Sequence, residues 1–126
     1  MTDRITSLVV AVVDDDQGVL QSIQYLLESA DFDARLFSSA AGLLNSACLA
    51  KIDCLISDID MPGMDGYELV RVVRAVHPEL PVILITGYPE RFARLPFLAG
   101  ANLRCFKKPF HGPELLAAVS AALPAV

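Results

Sequence analysis

The sequence predicts an α/β domain: a parallel sheet with helices on both faces. Three observations carry this. Short apolar runs alternate five times with stretches whose apolar residues recur three and four apart. Such alternation implies parallel strands joined by right-handed helical crossovers. Most of the runs are almost continuously apolar, the mark of strands buried on both faces.

Leu8-Val9-Val10-Ala11-Val12-Val13 is β-branched throughout and reads as a central strand, ending at Asp14-Asp15-Asp16. Val19, Leu20, Ile23, Leu26, Leu27 and Ala30 form a helical stripe behind it. Asp33 to Phe37 is a shorter, weaker strand suited to an edge. Ser38 or Ser39 caps a second helix bearing Leu43 and Leu44, weakened by Gly42 and Asn45. Cys54 to Asp58 is a third strand, and Met61-Pro62-Gly63-Met64-Asp65-Gly66 is a loop with two glycine turn positions. Tyr67, Leu69, Val70, Val73 and Val76 mark a third helix, which Pro78 and Pro81 close. Pro81 to Thr86 is a fourth buried strand, followed by Gly87. The spacing predicts a helix around Glu90 to Ala99, shortened or kinked because Pro96 lies inside it. Leu103 to Phe106 is a fifth strand, running into Lys107-Lys108-Pro109-Phe110. Pro113 and Glu114 open a last helix, Leu115 to Leu123, whose outer face is only Ala and Ser. A face of that kind suits contact with a second copy or an output domain.

The totals bound the function. The chain has 126 residues, 54% of them hydrophobic, enough for one domain with a full core. The expectation is a single domain over residues 1–126 with its core at about 8–123. Apolar runs fall far short of the roughly 20 residues a membrane span needs. The first residues lack the pattern of a secretory signal, so a cytoplasmic location is expected. Net charge is −5, with basic residues dispersed apart from Lys107-Lys108, which argues against nucleic-acid binding by this domain. Cys48, Cys54 and Cys105 are odd in number and lack metal-ligand spacing, so buried reduced thiols are expected.

Parallel strands place their carboxyl ends on one side, where ligands bind in open α/β sheets. Asp14-Asp15, Asp58, Thr86 and Lys108 therefore converge on one cleft. Two carboxylates about 4 Å apart repel by about 4 kcal/mol at an effective dielectric near 20, so the cluster calls for cations. Lys108 supplies one charge. An oxygen-coordinated divalent ion supplies the rest, and Mg2+ suits a few carboxylates plus waters. In such a site Asp58 can act as nucleophile toward a phosphoryl group whose oxygens Lys108 and Thr86 bind. Gly87 leaves room beside Thr86. Asp16 and Asp65 read as cap or turn residues. Lys107 reads as a solvated neighbour, and the Lys-Pro pair favours Lys108. His77 and His111 lie in loops without metal-ligand company.

Val13-Asp14-Asp15-Asp16, Ile56-Ser57-Asp58-Ile59-Asp60-Met61-Pro62-Gly63-Met64-Asp65-Gly66, Ile85-Thr86-Gly87 and Lys108-Pro109-Phe110 resemble the receiver (CheY-like) domain of two-component response regulators. The resemblance spans Leu8 to Leu123, with 43 positions from Asp15 to Asp58 and 22 from Thr86 to Lys108. It implies a flavodoxin-like, doubly wound, five-stranded parallel sheet of order 2-1-3-4-5. It implies that Asp58 is the phosphoacceptor, served by a sensor histidine kinase or phosphotransfer protein. Mg2+ would be held by Asp14, Asp15, Asp58 and the main-chain carbonyl of Asp60. Thr86 would be the switch hydroxyl, Lys108 would pair with the phosphoryl group, and the Lys108–Pro109 peptide bond would be cis. The output surface would lie around the fourth helix, the fifth strand and the last helix. Two residues depart from the pattern. Cys105 stands where the family has Tyr or Phe three residues before the lysine, and Pro96 interrupts the fourth helix.

Two rival readings follow from the same residues. Asp58-Ile59-Asp60 matches the nucleophile and acid/base pair of a Mg2+-dependent phosphohydrolase of haloacid-dehalogenase type. That motif normally opens its chain, and no cap domain fits in this length. A pseudo-receiver, binding partners without phosphorylation, is the other reading, and Cys105 and Pro96 are what favour it.

Overall fold

The computed structural model describes residues 7–88, 90 and 103–123. Five parallel strands form one sheet: β1 (Val9–Val13), β2 (Asp33–Phe37), β3 (Cys54–Asp58), β4 (Val82–Thr86) and β5 (Leu103–Lys107). Their order is β2-β1-β3-β4-β5, the doubly wound arrangement expected. Helices α1 (Gln17–Glu28), α2 (Ala40–Leu44) and α3 (Gly66–Val76) and the C-terminal helix (Gly112–Ala122) cover it.

Strand parity decides what each face buries, because neighbouring side chains point to opposite sides. Val10, Val12, Cys54, Ile56, Ile83 and Ile85 pack against Leu20, Ile23 and Leu27 of α1 and Leu115, Ala118 and Val119 of the C-terminal helix. Ala11, Val13, Leu55, Val82 and Leu84 pack against α2 and α3 through Ala40, Leu43, Leu69, Val70 and Val73. β1, β3 and β4 are buried almost along their whole length, whereas the edge strand β2 is half-buried.

The helix starts follow from local hydrogen bonding. Asp16 caps α1 by accepting from the Gly18 and Val19 N–H groups, Ser39 caps α2, and Asp65 caps α3 through the Glu68 N–H. Each satisfies amide groups that a helix start leaves without a partner. Pro113 sits in the first turn of the C-terminal helix, where its missing N–H costs nothing.

Several details differ from expectation. Helix α1 stops at Glu28, because the chain turns through Asp31 at a φ of 68°, so Ala30 is an exposed turn residue. Val76 is 64% exposed and lies outside the buried stripe of α3. A 3-10 turn at Leu49–Lys51, unmarked by periodicity, leads into β3. Of the cysteines, Cys54 is buried and Cys48 and Cys105 are half-buried, all three free. Burial pushes the Cys54 thiol up to about 12, so it is a neutral core residue. The helix expected around Glu90 to Ala99, with its break at Pro96, lies outside the described residues apart from Glu90. Among the described residues, no helix is long and apolar enough to cross a membrane.

Candidate functional site

The strand register builds the site. β1 and β3 pair with Val13 beside Ser57, so the next residues, Asp14 just past β1 and Asp58 at the end of β3, stand side by side. Both share the parity of the α1-facing residues Val12 and Ile56. Backbone bonds hold the strand ends: the Asp14 N–H donates to Phe37 O at 3.1 Å, and the Ile59 N–H to Ile85 O at 3.0 Å. The Lys108 N–H donates to Thr86 O at 2.8 Å, tying the exit of β5 to the end of β4. The Lys108–Pro109 peptide bond is cis.

Lys108 Nζ lies 3.0 Å from Asp14 Oδ2 and 3.4 Å from Asp58 Oδ1. Asp14 and Asp58 are buried, Thr86 is buried, and Asp15 is exposed. Oxygens of Asp14, Asp15 and Asp58 lie within 4.8 Å of one another, an arrangement able to hold a metal ion. Apart from its ion pair, Asp14 Oδ2 is a buried oxygen without a hydrogen-bond partner, while Oδ1 accepts from the Asp16 N–H at 2.9 Å. A hard, all-oxygen donor set with two buried carboxylates and one exposed one fits Mg2+.

The electrostatics are those of a crowded pocket. Burial, and then the negative charge of Asp14, raise the Asp58 carboxyl to about 6 against the pull of Lys108. Burial also raises Asp14, opposed by the Asp16 N–H and Lys108. For Lys108 burial works the other way, yet Asp14 and then Asp58 together hold its ammonium above the ordinary value.

The structure thus brings Asp14, Asp15, Asp58 and Lys108 together. It places Lys107 exposed, with its neighbour Lys108 turned into the cluster. Thr86 stands at the same edge but faces a different partner. Its hydroxyl donates to Asp60 Oδ2 at 3.1 Å and accepts from the Tyr88 N–H at 3.0 Å. The bond from Thr86 to the Asp60 carboxylate is what sequence reasoning missed: the receiver resemblance used only the Asp60 main-chain carbonyl, and the phosphohydrolase reading used its side chain as acid/base. The position of Asp60 two residues past Asp58 was the available signal. Cys105 lies on the face of β5 that packs with Leu84, and Phe106 on the opposite face.

Beside the cluster, a cleft of about 690 Å3 runs between α1 and the loop after β5, lined by Asp16, Val19, Leu26, Lys108, Pro109 and Phe110 among others. At the β3–α3 junction the backbones almost touch. A Cβ on Gly66 would lie 2.5 Å from the Asp58 carbonyl oxygen and 2.8 Å from Ile59 Cα. Only glycine fits there. At Gly87 an added Cβ would meet nothing within 4 Å among the described residues.

Fold and site define a class: a flavodoxin-like domain with an acidic, lysine-paired cluster at the carboxyl edge of its sheet. Comparison with known proteins agrees. The response regulator receiver domain model matches residues 10–120. The chain belongs to that family, and is a receiver domain of two-component response regulators. It is 33% identical over 123 residues to the response regulator protein TodT of Pseudomonas putida, covering 98% of this chain and 53% of TodT. It is 30% identical over 112 residues to the transcriptional regulatory protein FixJ of Bradyrhizobium diazoefficiens, covering 89% of this chain and 55% of FixJ. The chain therefore spans about half the length of these curated relatives. Among solved structures, the chemotaxis protein CheY4 of Vibrio cholerae superposes with a TM-score of 0.81 at 28% identity, over 93% of this chain and 99% of that one.

Proposed function

We propose that Asp58 is the phosphoacceptor of this receiver domain. The observation that carries this is its burial beside Asp14 with Lys108 Nζ 3.4 Å away. An ionised Asp58 presents a carboxylate oxygen as nucleophile. Lys108, bridging Asp14 and Asp58, is within reach of the oxygens of an incoming phosphoryl group and offsets its charge. Asp14, Asp15 and Asp58, with the main-chain carbonyl of Asp60, would hold Mg2+. When bound, that ion supplies positive charge to the carboxylates and to the phosphoryl oxygens. Thr86 serves as the switch hydroxyl once it leaves Asp60.

The phosphodonor is a histidine kinase or a phosphotransfer protein. The cleft between α1 and Pro109-Phe110, apolar through Val19 and Leu26, supports its docking next to Asp58. The output is a change of protein contacts in a cytoplasmic signalling protein, with residues 1–126 acting as one domain. Ala117, Ser120 and Ala121, exposed on the C-terminal helix, support that face as a contact for a second copy or an output domain. Light scattering across a concentration series tests the self-association form of this idea. The phosphohydrolase reading draws no support from the family match, and the Asp60 carboxylate it needs as acid/base is bonded to Thr86.

The test is incubation with acetyl phosphate and Mg2+, followed by intact mass. The expected result is a gain of one phosphoryl group, lost in Asp58→Asn. Turnover of acetyl phosphate through Asp58 with no accumulated adduct would favour the phosphohydrolase, and no uptake at all the pseudo-receiver.

A further inference from the structure

We propose that the Asp60 carboxylate is a positioning residue for Thr86, a latch that a phosphoryl group on Asp58 must displace before the Thr86 hydroxyl can turn to it. The inference rests on Asp58 being the acceptor and assigns the Asp60 side chain a role of its own.

A threonine hydroxyl has one proton to donate and two lone pairs. Here the proton goes to Asp60 Oδ2 at 3.1 Å, and one lone pair takes the Tyr88 N–H at 3.0 Å. Thr86 is 1% exposed, so bulk water cannot readily replace either partner. The acceptor is a carboxylate, and hydrogen bonds to ionised acceptors are roughly twice as strong as neutral ones. Thr86 cannot donate to a phosphoryl oxygen while this bond stands.

Asp60 stands two residues from Asp58, and its N–H acts on the Asp58 carboxylate against the rise that burial causes. The end of β3 and the two residues after it therefore carry both the acceptor carboxylate and the group that competes with it for Thr86. A phosphoryl group adds about −1.5 to −2 charges at Asp58, two residues from Asp60. It offers Thr86 new acceptor oxygens and repels the Asp60 carboxylate. Both effects loosen the latch, so phosphorylation and release of Thr86 are coupled through one proton.

The probe is beryllofluoride with Mg2+, followed by the NMR signal of a labelled Thr86 methyl group. In the unliganded protein, Asp60→Ala is expected to move that signal part of the way toward its position in the beryllofluoride-saturated wild type. Asp60→Asn, which keeps an acceptor without charge, should move it less. The dissociation constant for beryllofluoride is expected to fall about tenfold in Asp60→Ala, since hydrogen bonds to charged groups are worth about 1.5 kcal/mol or more. In a Thr86→Val background the same substitution should change it by less than about twofold. An equal fall in both backgrounds would mean that Asp60 acts only by its charge, and would overturn the latch. An unmoved Thr86 methyl signal in Asp60→Ala would overturn it too. Failure of the acceptor assignment looks different: the wild type would then show no beryllofluoride response that Asp58→Asn abolishes.

Discussion

Lys108 Nζ bridges Asp14 Oδ2 at 3.0 Å and Asp58 Oδ1 at 3.4 Å, so one ammonium serves two buried carboxylates contributed by different strands. Lys108→Met should therefore leave two acids facing each other without a counter-charge. Removing one partner of a buried pair costs about 3–5 kcal/mol, and the partial exposure of Lys108 lowers the expectation to about 1–3 kcal/mol. The loss should be largest above pH 7 without divalent ions and should shrink at pH 5, where Asp58 is mostly protonated. Thermal melts of the variant at the two pH values check this. An equal loss at both would mean that the lysine stem, rather than its charge, carries the effect.

Asp58 gives the apo protein a pH dependence of definite sign. Its carboxyl rises from the ordinary 3.8 to about 6 on folding, so the native state binds the proton more tightly than the unfolded chain. Stability then falls as pH rises between those two values and is flat above them as far as this group is concerned. Above pH 6 the cost approaches about 3 kcal/mol, at roughly 1.4 kcal/mol per pKa unit. Asp58→Asn should remove that slope, raising the melting temperature by several degrees at pH 7.5 and hardly at all below pH 4. Parallel melting curves for variant and wild type would show whether the slope belongs to Asp58.

Mg2+ should raise the melting temperature, because a ligand of the native state alone stabilises by mass action. Asp15 is the exposed member of the carboxylate cluster, so its loss should leave the fold intact. Asp15→Asn is expected to melt no lower than wild type without metal and to lose most of the Mg2+ response. A full response in that variant would remove Asp15 from the ligand set.

How much of this was legible in the sequence depended on the length scale of the interaction. The position of β3 follows from its apolar run up to Asp58, and the joint placement of Asp14, Asp58 and Lys108 follows once the strands are parallel. Asp16 and Asp65 were readable as caps because an N-cap bonds only two or three residues ahead. The Thr86–Asp60 bond spans 26 residues and depends on side-chain rotamers, which periodicity does not encode. Val76 falls on the apolar stripe of α3 yet is the last residue of that helix, and it is 64% exposed. Glycine 66 was legible as a turn residue, but its closeness to Asp58 is a tertiary fact.

That closeness yields a paired prediction. Glycine to alanine within a helix ordinarily stabilises by about 1 kcal/mol, through lower chain entropy and better propensity. At Gly66, the first residue of α3, the new methyl group would lie 2.5 Å from the Asp58 carbonyl oxygen and 2.8 Å from Ile59 Cα. Both are backbone atoms and cannot rotate away. The Gly66 N–H also donates to Ile59 O at 2.9 Å, so moving the helix start breaks that bond. Overpacking of this kind costs about 1–3 kcal/mol, and it should outweigh the helix gain. Gly87→Ala adds the same methyl group where none of the described residues lies within 4 Å, and should change stability by no more than about 0.5 kcal/mol. Because the clash pushes on Asp58, a member of the carboxylate cluster, Gly66→Ala should also weaken the Mg2+-induced rise in melting temperature, while Gly87→Ala should leave it intact. Urea melts of both variants with and without Mg2+ measure all four values. A Gly66→Ala protein as stable and as responsive as Gly87→Ala would show that the β3–α3 junction yields without moving Asp58.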